Sequence, residues 1–200
     1  MHEHAPERRK FLKVAASAGM LSALGARTAL AAPYVLPESF LPTPVRLRAR
    51  LAPGEIHLIP DTFKLYWTLE NREAIRYTVG IGRPGLYEPG EFTVGRKAKW
   101  PSWTPTKAMI GRNPAYAQWE DGMPGGPNNP LGARALYLYN ARGHDTMLRI
   151  HGTNLPRTIG TAVSNGCARL TNDHAIELYE RVPVGTRVVL YAKGERPKMG

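Results

Sequence analysis

Cysteine is almost missing from this chain: Cys167 is the one thiol among 200 residues. A lone thiol cannot close an internal disulfide, and without a second one there is no thiolate cluster for zinc. It is therefore buried and inert, joined to another molecule, or reactive. A long apolar run is lacking too, because the small-residue stretch 14–24 falls well short of the ~20 residues a bilayer span needs. The net charge of +11 has no dense basic cluster behind it, being scattered over positions such as Arg46, Arg48, Arg50, Arg72, Arg76, Lys97, Lys99, Arg181 and Arg187. With no nucleic-acid motif either, this reads as a solvated surface and argues against nucleic acid as the partner. Internal repeats are absent. His57, His144 and His174 have no acidic partners at metal-ligand spacing and read as surface or strand positions.

What is present starts with the N-terminus. Arg8-Arg9-Lys10-Phe11-Leu12-Lys13 precedes the short apolar run, and Ala29-Leu30-Ala31 offers a small-x-small cleavage pattern. Residues 1–31 thus resemble a twin-arginine export signal, with an amphipathic helix or an uncleaved anchor as alternatives. Cleavage would leave no transmembrane anchor. Without the five basic and two acidic residues of that segment, the net charge falls to +8. Such a charge favours polyanionic surroundings: wall polymers, lipid head groups or acidic peptides.

Residues 32–54 carry Pro33, Pro37, Pro42, Pro44 and Pro53, which lack amide donors, so an extended, poorly packed tether is expected there. Residues 55–200 then read as one mainly β domain. Short β-type runs lie at 56–59, 63–67 and 74–79; alternation is clear in the second and third, which read as half-buried antiparallel strands, and further strands are expected at 91–95, 135–139, 147–151 and 187–192. Helical periodicity is convincing once, over 173–182, where Ala175, Leu178, Tyr179 and Val182 share a face. Thr171 or Asn172 caps its start, and Glu177 and Arg181 lie four apart on the wet side. Between Arg96 and Arg134 runs a long irregular region with Trp100, Trp103 and Trp119 and many prolines. It is either pinned to the sheet by its tryptophans or it lines a groove.

A thiol attacks carbonyl carbon as thiolate, so a catalytic Cys167 needs a nearby base and some access. His151, sixteen residues earlier at the end of an apolar run, is the candidate. Gly152 lets the chain leave the strand sharply there. Gly166 removes a side chain where a substrate carbonyl would approach, and amides around Gly166 and Cys167 could face an oxyanion, typically worth about 3–4 kcal/mol per donor. Arg169 could hold a carboxylate through two parallel hydrogen bonds.

His151-Gly152-Thr153 followed by Ser164-Asn165-Gly166-Cys167-Ala168-Arg169-Leu170 resembles the active-site signature of the L,D-transpeptidases of bacterial cell walls, the YkuD-like catalytic domain. Gly80-Ile81-Gly82-Arg83, Pro89-Gly90-Glu91-Phe92, Trp100-Pro101-Ser102-Trp103 and Asn129-Pro130-Leu131-Gly132 resemble it as well, and the likeness runs from about 55 to 192. The resemblance implies a mainly β fold, a β-sandwich or mixed sheet with one helix after the catalytic motif and a long irregular loop. It implies Cys167 as nucleophile, kept ionised by His151, which a backbone carbonyl orients. Gly152, Ser164, Asn165, Gly166 and Arg169 would bind substrate or the oxyanion, with no metal and no organic cofactor. Its substrates would be peptidoglycan stem peptides in the periplasm or cell envelope, and its acceptor an amine, a lipoprotein lysine or water. Ala168 and Tyr87-Glu88-Pro89-Gly90 depart from the family pattern, which bears on loop shape and substrate preference. The rival class is a non-catalytic wall binder in which Cys167 packs inertly; a single carbapenem adduct at Cys167 would separate the two.

Overall fold

The computed structural model describes residues 34–195, 197 and 199. The export signal expected over 1–31 lies outside the described residues. From Tyr34 onward the chain gathers into one unit. Its strands are β1 (Thr43–Arg46), β2 (Ile56–Ile59), β3 (Lys64–Thr68), β4 (Glu73–Thr78), β5 (Ile81–Gly82), β6 (Gly90–Lys99), β7 (Arg134–Tyr139), β8 (Asp145–His151), β9 (Ala162–Ser164), β10 (Ala168–Arg169) and β11 (Arg187–Leu190). Helices α1 (Lys107–Arg112) and α2 (Asn172–Arg181) accompany them. Nine strands form one sheet in the order β1-β4-β3-β2-β11-β6-β7-β8-β10, and β5 and β9 pair separately. The large sheet is mixed: β11 runs parallel to β2 and β10 parallel to β8, with antiparallel pairing elsewhere.

The core lies where α2 crosses the sheet. Ala175, Leu178 and Tyr179 of α2 and the following Val182 pack into one cluster with Ile56, Leu65, Val94, Leu136 and Ile150. Apolar residues spaced three and four apart place one stripe of the helix inward, and burial of a side chain of this size contributes roughly 1.5–3 kcal/mol. Thr171 is the cap, its Oγ1 accepting from His174 N–H at 3.3 Å. Asn172, the other candidate, does something else: its Oδ1 accepts from Ala133 N–H at 2.9 Å. The other end of α2 is held by Lys97, whose Nζ donates to the carbonyls of Tyr179 and Val182, both at 2.6 Å. A cation there also opposes the helix dipole.

Three expectations are corrected. The strand expected at 63–67 is not half-buried: Leu65 to Thr68 of β3 are buried, as are all four residues of its neighbour β2. The reason is the proline-rich segment, which packs rather than dangles. Thr43–Arg46 pairs with β4, Pro44 facing Ile75, and Leu47 joins Ile59, Tyr66, Ala74 and Met199 in a second cluster on the far face. Proline fits there because β1 is the sheet edge, where a missing amide leaves no ladder bond unmade. Thr68 fastens the same segment, its hydroxyl donating to Ala52 O at 2.7 Å while accepting from Glu55 N–H at 2.8 Å. His57 lies on β2, a strand position as expected, whereas His174 is neither surface nor strand: it is buried on α2.

The irregular region between β6 and β7 is built rather than loose. Trp103 and Met123 exchange backbone hydrogen bonds at 2.9 and 2.7 Å, and the fully buried Asn129 donates to the carbonyls of Met123 and Pro124. Asn129 Oδ1 accepts from Leu131 N–H in turn. Helix α1 lies inside this region, capped by Thr106, with no helical stripe in the sequence to announce it.

Candidate active site

Cys167 stands where the chain turns from β9 into β10. Leaving β9, it is strapped on one side to residues 80–83, with Arg83 N–H on Ser164 O at 3.1 Å and a mutual Gly80–Arg169 pair at 2.9 and 2.7 Å. On the other side β10 lies along β8, pairing Ala168 with Ile150 and Arg169 with His151. This brings Cys167, in the turn just before β10, beside the strand that ends in His151. Gly166 adopts φ +128°, a conformation that side chains rarely take, and a Cβ there would sit 3.0 Å from Leu86 O. Ser164 holds the turn: its Oγ donates to Cys167 O at 2.7 Å and accepts from Gly166 N–H at 3.2 Å.

His151 is buried, with its Nδ1 2.5 Å from Gly152 O. A carbonyl only accepts, so Nδ1 carries the proton and Nε2 is left as the basic nitrogen. Gly152 is needed for close approach, since a Cβ would meet Asn172 Oδ1 at 2.3 Å and Ala133 N at 3.1 Å. His151 and Cys167 line one small cavity together with Ser164, Asn165, Arg169 and Tyr116. Cys167 also lines a second, larger cavity of about 260 Å³, which His151 does not reach. Trp103 lines both and packs edge-on against Tyr116, with ring centroids 5.3 Å apart. Of the three tryptophans in the long region, it alone does so.

Burial sets the protonation states. It lowers the His151 imidazole to about 3, and Arg169 and Arg149 add to the effect against the opposing carbonyls of Gly152 and Leu131. It pushes the Cys167 thiol up, opposed by Arg149 and Arg169. Both shifts favour the neutral forms over the ion pair that the family resemblance implies, the imidazole being fully buried and the thiol partly so. Cys167 Sγ points its hydrogen at Met147 O, 3.8 Å away, instead of at the imidazole. Met147 itself has φ +64°, its N–H held by Asp145 Oδ1 at 2.8 Å.

The remaining residues singled out in the sequence divide by what they touch. The amides of Gly152 and Gly166 are taken, by Arg134 O at 3.0 Å and by Ser164 Oγ, so neither faces an oxyanion. Among the described residues no hydrogen bond occupies the amide of Cys167, which is the donor left for that task. Asn165 Oδ1 accepts from Arg83 at 3.0 Å and Arg112 at 3.3 Å, tying α1 to the turn. Arg169 lines the small cavity, and its buried Nε has no partner. Sequence reasoning missed Met147, Arg149, Tyr137, Arg96 and Asn172, because strand register and backbone conformation bring them to the site, and no local motif does. Among the described residues no group of three or more His, Cys, Asp or Glu side chains is placed to hold a metal ion.

Comparison with known proteins settles the family. The L,D-transpeptidase catalytic domain model, YkuD, matches residues 54–190. The chain belongs to the L,D-transpeptidase family. A Fuscovulum blasticum protein named "Putative L,D-transpeptidase in ATP synthase subunits region ORF 5" is 33% identical over 193 residues, covering 88% of this chain and 95% of that one. "Probable L,D-transpeptidase YbiS" of Escherichia coli K12 is 40% identical over 126 residues, 62% of this chain; the alignment spans about two fifths of YbiS, 39% of its length. Among solved structures, a Brucella melitensis protein titled a "Probable carnitine operon oxidoreductase" superposes with a TM-score of 0.54 at 44% identity, over 78% of this chain and 96% of that one. The fold is thus the L,D-transpeptidase fold, and the matched region contains every element that carries Cys167 and His151. Among the described residues no helix is long and apolar enough to cross a membrane.

Proposed function

We propose that the protein is a cysteine acyltransferase that acts on peptidoglycan stem peptides in the cell envelope, reached by twin-arginine export. Cys167 Sγ attacks the carbonyl joining the L-centre of the third residue, diaminopimelate, to D-Ala at position four. As the S–C bond forms, the thiol proton passes to His151 Nε2. The imidazolium then gives that proton to the D-Ala nitrogen as the C–N bond breaks, so D-Ala leaves as the free amine and Cys167 holds the acyl group as a thioester. An acceptor amine attacks the thioester and loses its proton to Nε2, which returns it to the departing sulfur. The Cys167 amide stabilises the oxyanion in both steps. Arg169, with a buried donor lacking a partner, receives a carboxylate of the donor stem.

One observation carries this reading: the thiol, in the turn entering β10, and an imidazole with its tautomer fixed, at the end of the neighbouring parallel strand β8, open onto the same cavity. A neutral pair suits it, because the base must be unprotonated when substrate arrives. The oxidoreductase in the Brucella title describes that protein; with one cysteine, an intramolecular dithiol–disulfide cycle is not open to this chain. Incubating the purified protein with disaccharide-tetrapeptide and weighing the products by mass spectrometry tests the proposal. A dimer lacking D-Ala is expected; tripeptide alone would make water the acceptor, and a lysine-bearing lipoprotein peptide can be offered as a third. Neither product, together with a Cys167→Ala protein indistinguishable from wild type in cells, would end the enzymatic reading.

A further inference from the structure

Strands β6, β7, β8 and β10 are consecutive in the sheet, and their register aligns four side chains. Arg96 faces Tyr137, Tyr137 faces Arg149, and the pairing of Ala168 with Ile150 brings Cys167 level with Arg149. Residues directly opposite one another on neighbouring strands point to the same face, so these four form one row. The larger cavity confirms the row independently, since Arg96, Tyr137, Arg149 and Cys167 all line it. No aspartate or glutamate does.

The two arginines are not equivalent. Arg149 is buried and committed, its guanidinium gripping both carboxylate oxygens of Asp145 at 2.6 and 2.9 Å and donating to Leu148 O. Arg96 is exposed, and among the described residues it has no acidic partner. Its guanidinium carbon lies 3.5 Å from the Tyr137 ring centroid. A stacked guanidinium keeps its plane fixed and its N–H edges free, the arrangement that receives a planar carboxylate with two hydrogen bonds. Ser102, Thr104 and Thr106 add hydroxyls along the same wall, and Trp103 an apolar surface.

We propose that Arg96, stacked on Tyr137, is a carboxylate-binding subsite that selects peptides with a free carboxylate two to three residues from the carbonyl attacked by Cys167. The distance follows from the sheet. Strands lie ~4.8 Å apart, so a guanidinium leaning over Tyr137 is about two strand spacings, roughly 10 Å, from the sulfur. An extended peptide advances ~3.3 Å per residue, which gives the two to three residues. The subsite takes its substrate class from the acyl-transfer reading above.

The test compares two donor peptides that differ only in whether the side chain two residues before the attacked carbonyl ends in a carboxylate or a carboxamide, using kcat/KM for wild type, Arg96→Gln and Arg96→Lys. Glutamine removes the charge while still covering Tyr137. Wild type is expected to favour the carboxylate by about tenfold, mainly through KM; glutamine should bring the ratio to near one, and lysine should restore part of it. A ratio unchanged in Arg96→Gln overturns the proposal. Binding of the same two peptides to Cys167→Ala protein, followed by titration calorimetry, asks the question without turnover. A carboxylate preference that disappears with Arg96→Gln supports the subsite even if no acyl transfer is found, and equal binding of both peptides by the Arg96 protein refutes it even if acyl transfer is.

Discussion

Raising the pH should switch on the chemical reactivity of Cys167 late. The thiol is pushed above its ordinary 9.0 and the imidazole is held near 3, both by burial. Holding the imidazole near 3 instead of 6.5 makes proton transfer from sulfur to Nε2 without substrate harder by about 5 kcal/mol, at ~1.4 kcal/mol per pH unit, and the upward push on the thiol adds to this. The neutral form is therefore favoured. Alkylation by iodoacetamide, followed by intact mass, should accordingly be slow at pH 5 to 7 and rise about tenfold per pH unit up to pH 9. A plateau of fast alkylation that begins below pH 7 would mean that a thiolate–imidazolium pair already exists, and the assignment of a neutral resting pair would be wrong.

Acid should weaken the fold: His151, His57 and His174 are all held below their ordinary 6.5 by burial, so the unfolded chain binds more protons once the pH drops below about 6.5. Stability is complete above that value and is lost toward pH 3, at ~1.4 kcal/mol per pH unit for His151 alone; urea midpoints at pH 7.5 and 5.0 measure it, and equal midpoints would contradict it. Gly152→Ala drives a methyl into Asn172 Oδ1 and the Ala133 amide, an overpacking cost of about 1–3 kcal/mol. It should also cut activity by moving the carbonyl that holds Nδ1, and the additional change Asn172→Ala should recover part of the melting temperature. Lys97→Met removes two charged hydrogen bonds from the end of α2 and should cost about 1.5–3 kcal/mol in thermal unfolding; a change below a few tenths would show those carbonyls to be satisfied by water.

Where side chains repeat with a local period, the sequence was readable. β2, β3, β4, β6, β7, β8 and β11 were visible as apolar runs between turns, and α2 as a stripe from Ala175 to Val182. β5, β9 and β10 were not, being two or three residues long with no room for a period. β1 was hidden by its own proline, read as a mark of loose chain when it marks a sheet edge. The site divides in the same way. Cys167, His151 and their glycines announced themselves because they sit in one short stretch of chain. The row Arg96, Tyr137, Arg149 is assembled by pairing across three strands, and the left-handed backbone of Met147 leaves no trace in residue type.

The packing of residues 43–51 against the far face matters for how the protein is handled. The family match begins at residue 54, which invites trimming the chain at that point. Doing so would strip the cover from Ile59, Tyr66 and Ala74 and leave β4 with a bare row of amides and carbonyls. A sticky flat border of that kind recruits a second chain edge to edge, so the shortened protein should precipitate, although every residue of its catalytic machinery is intact.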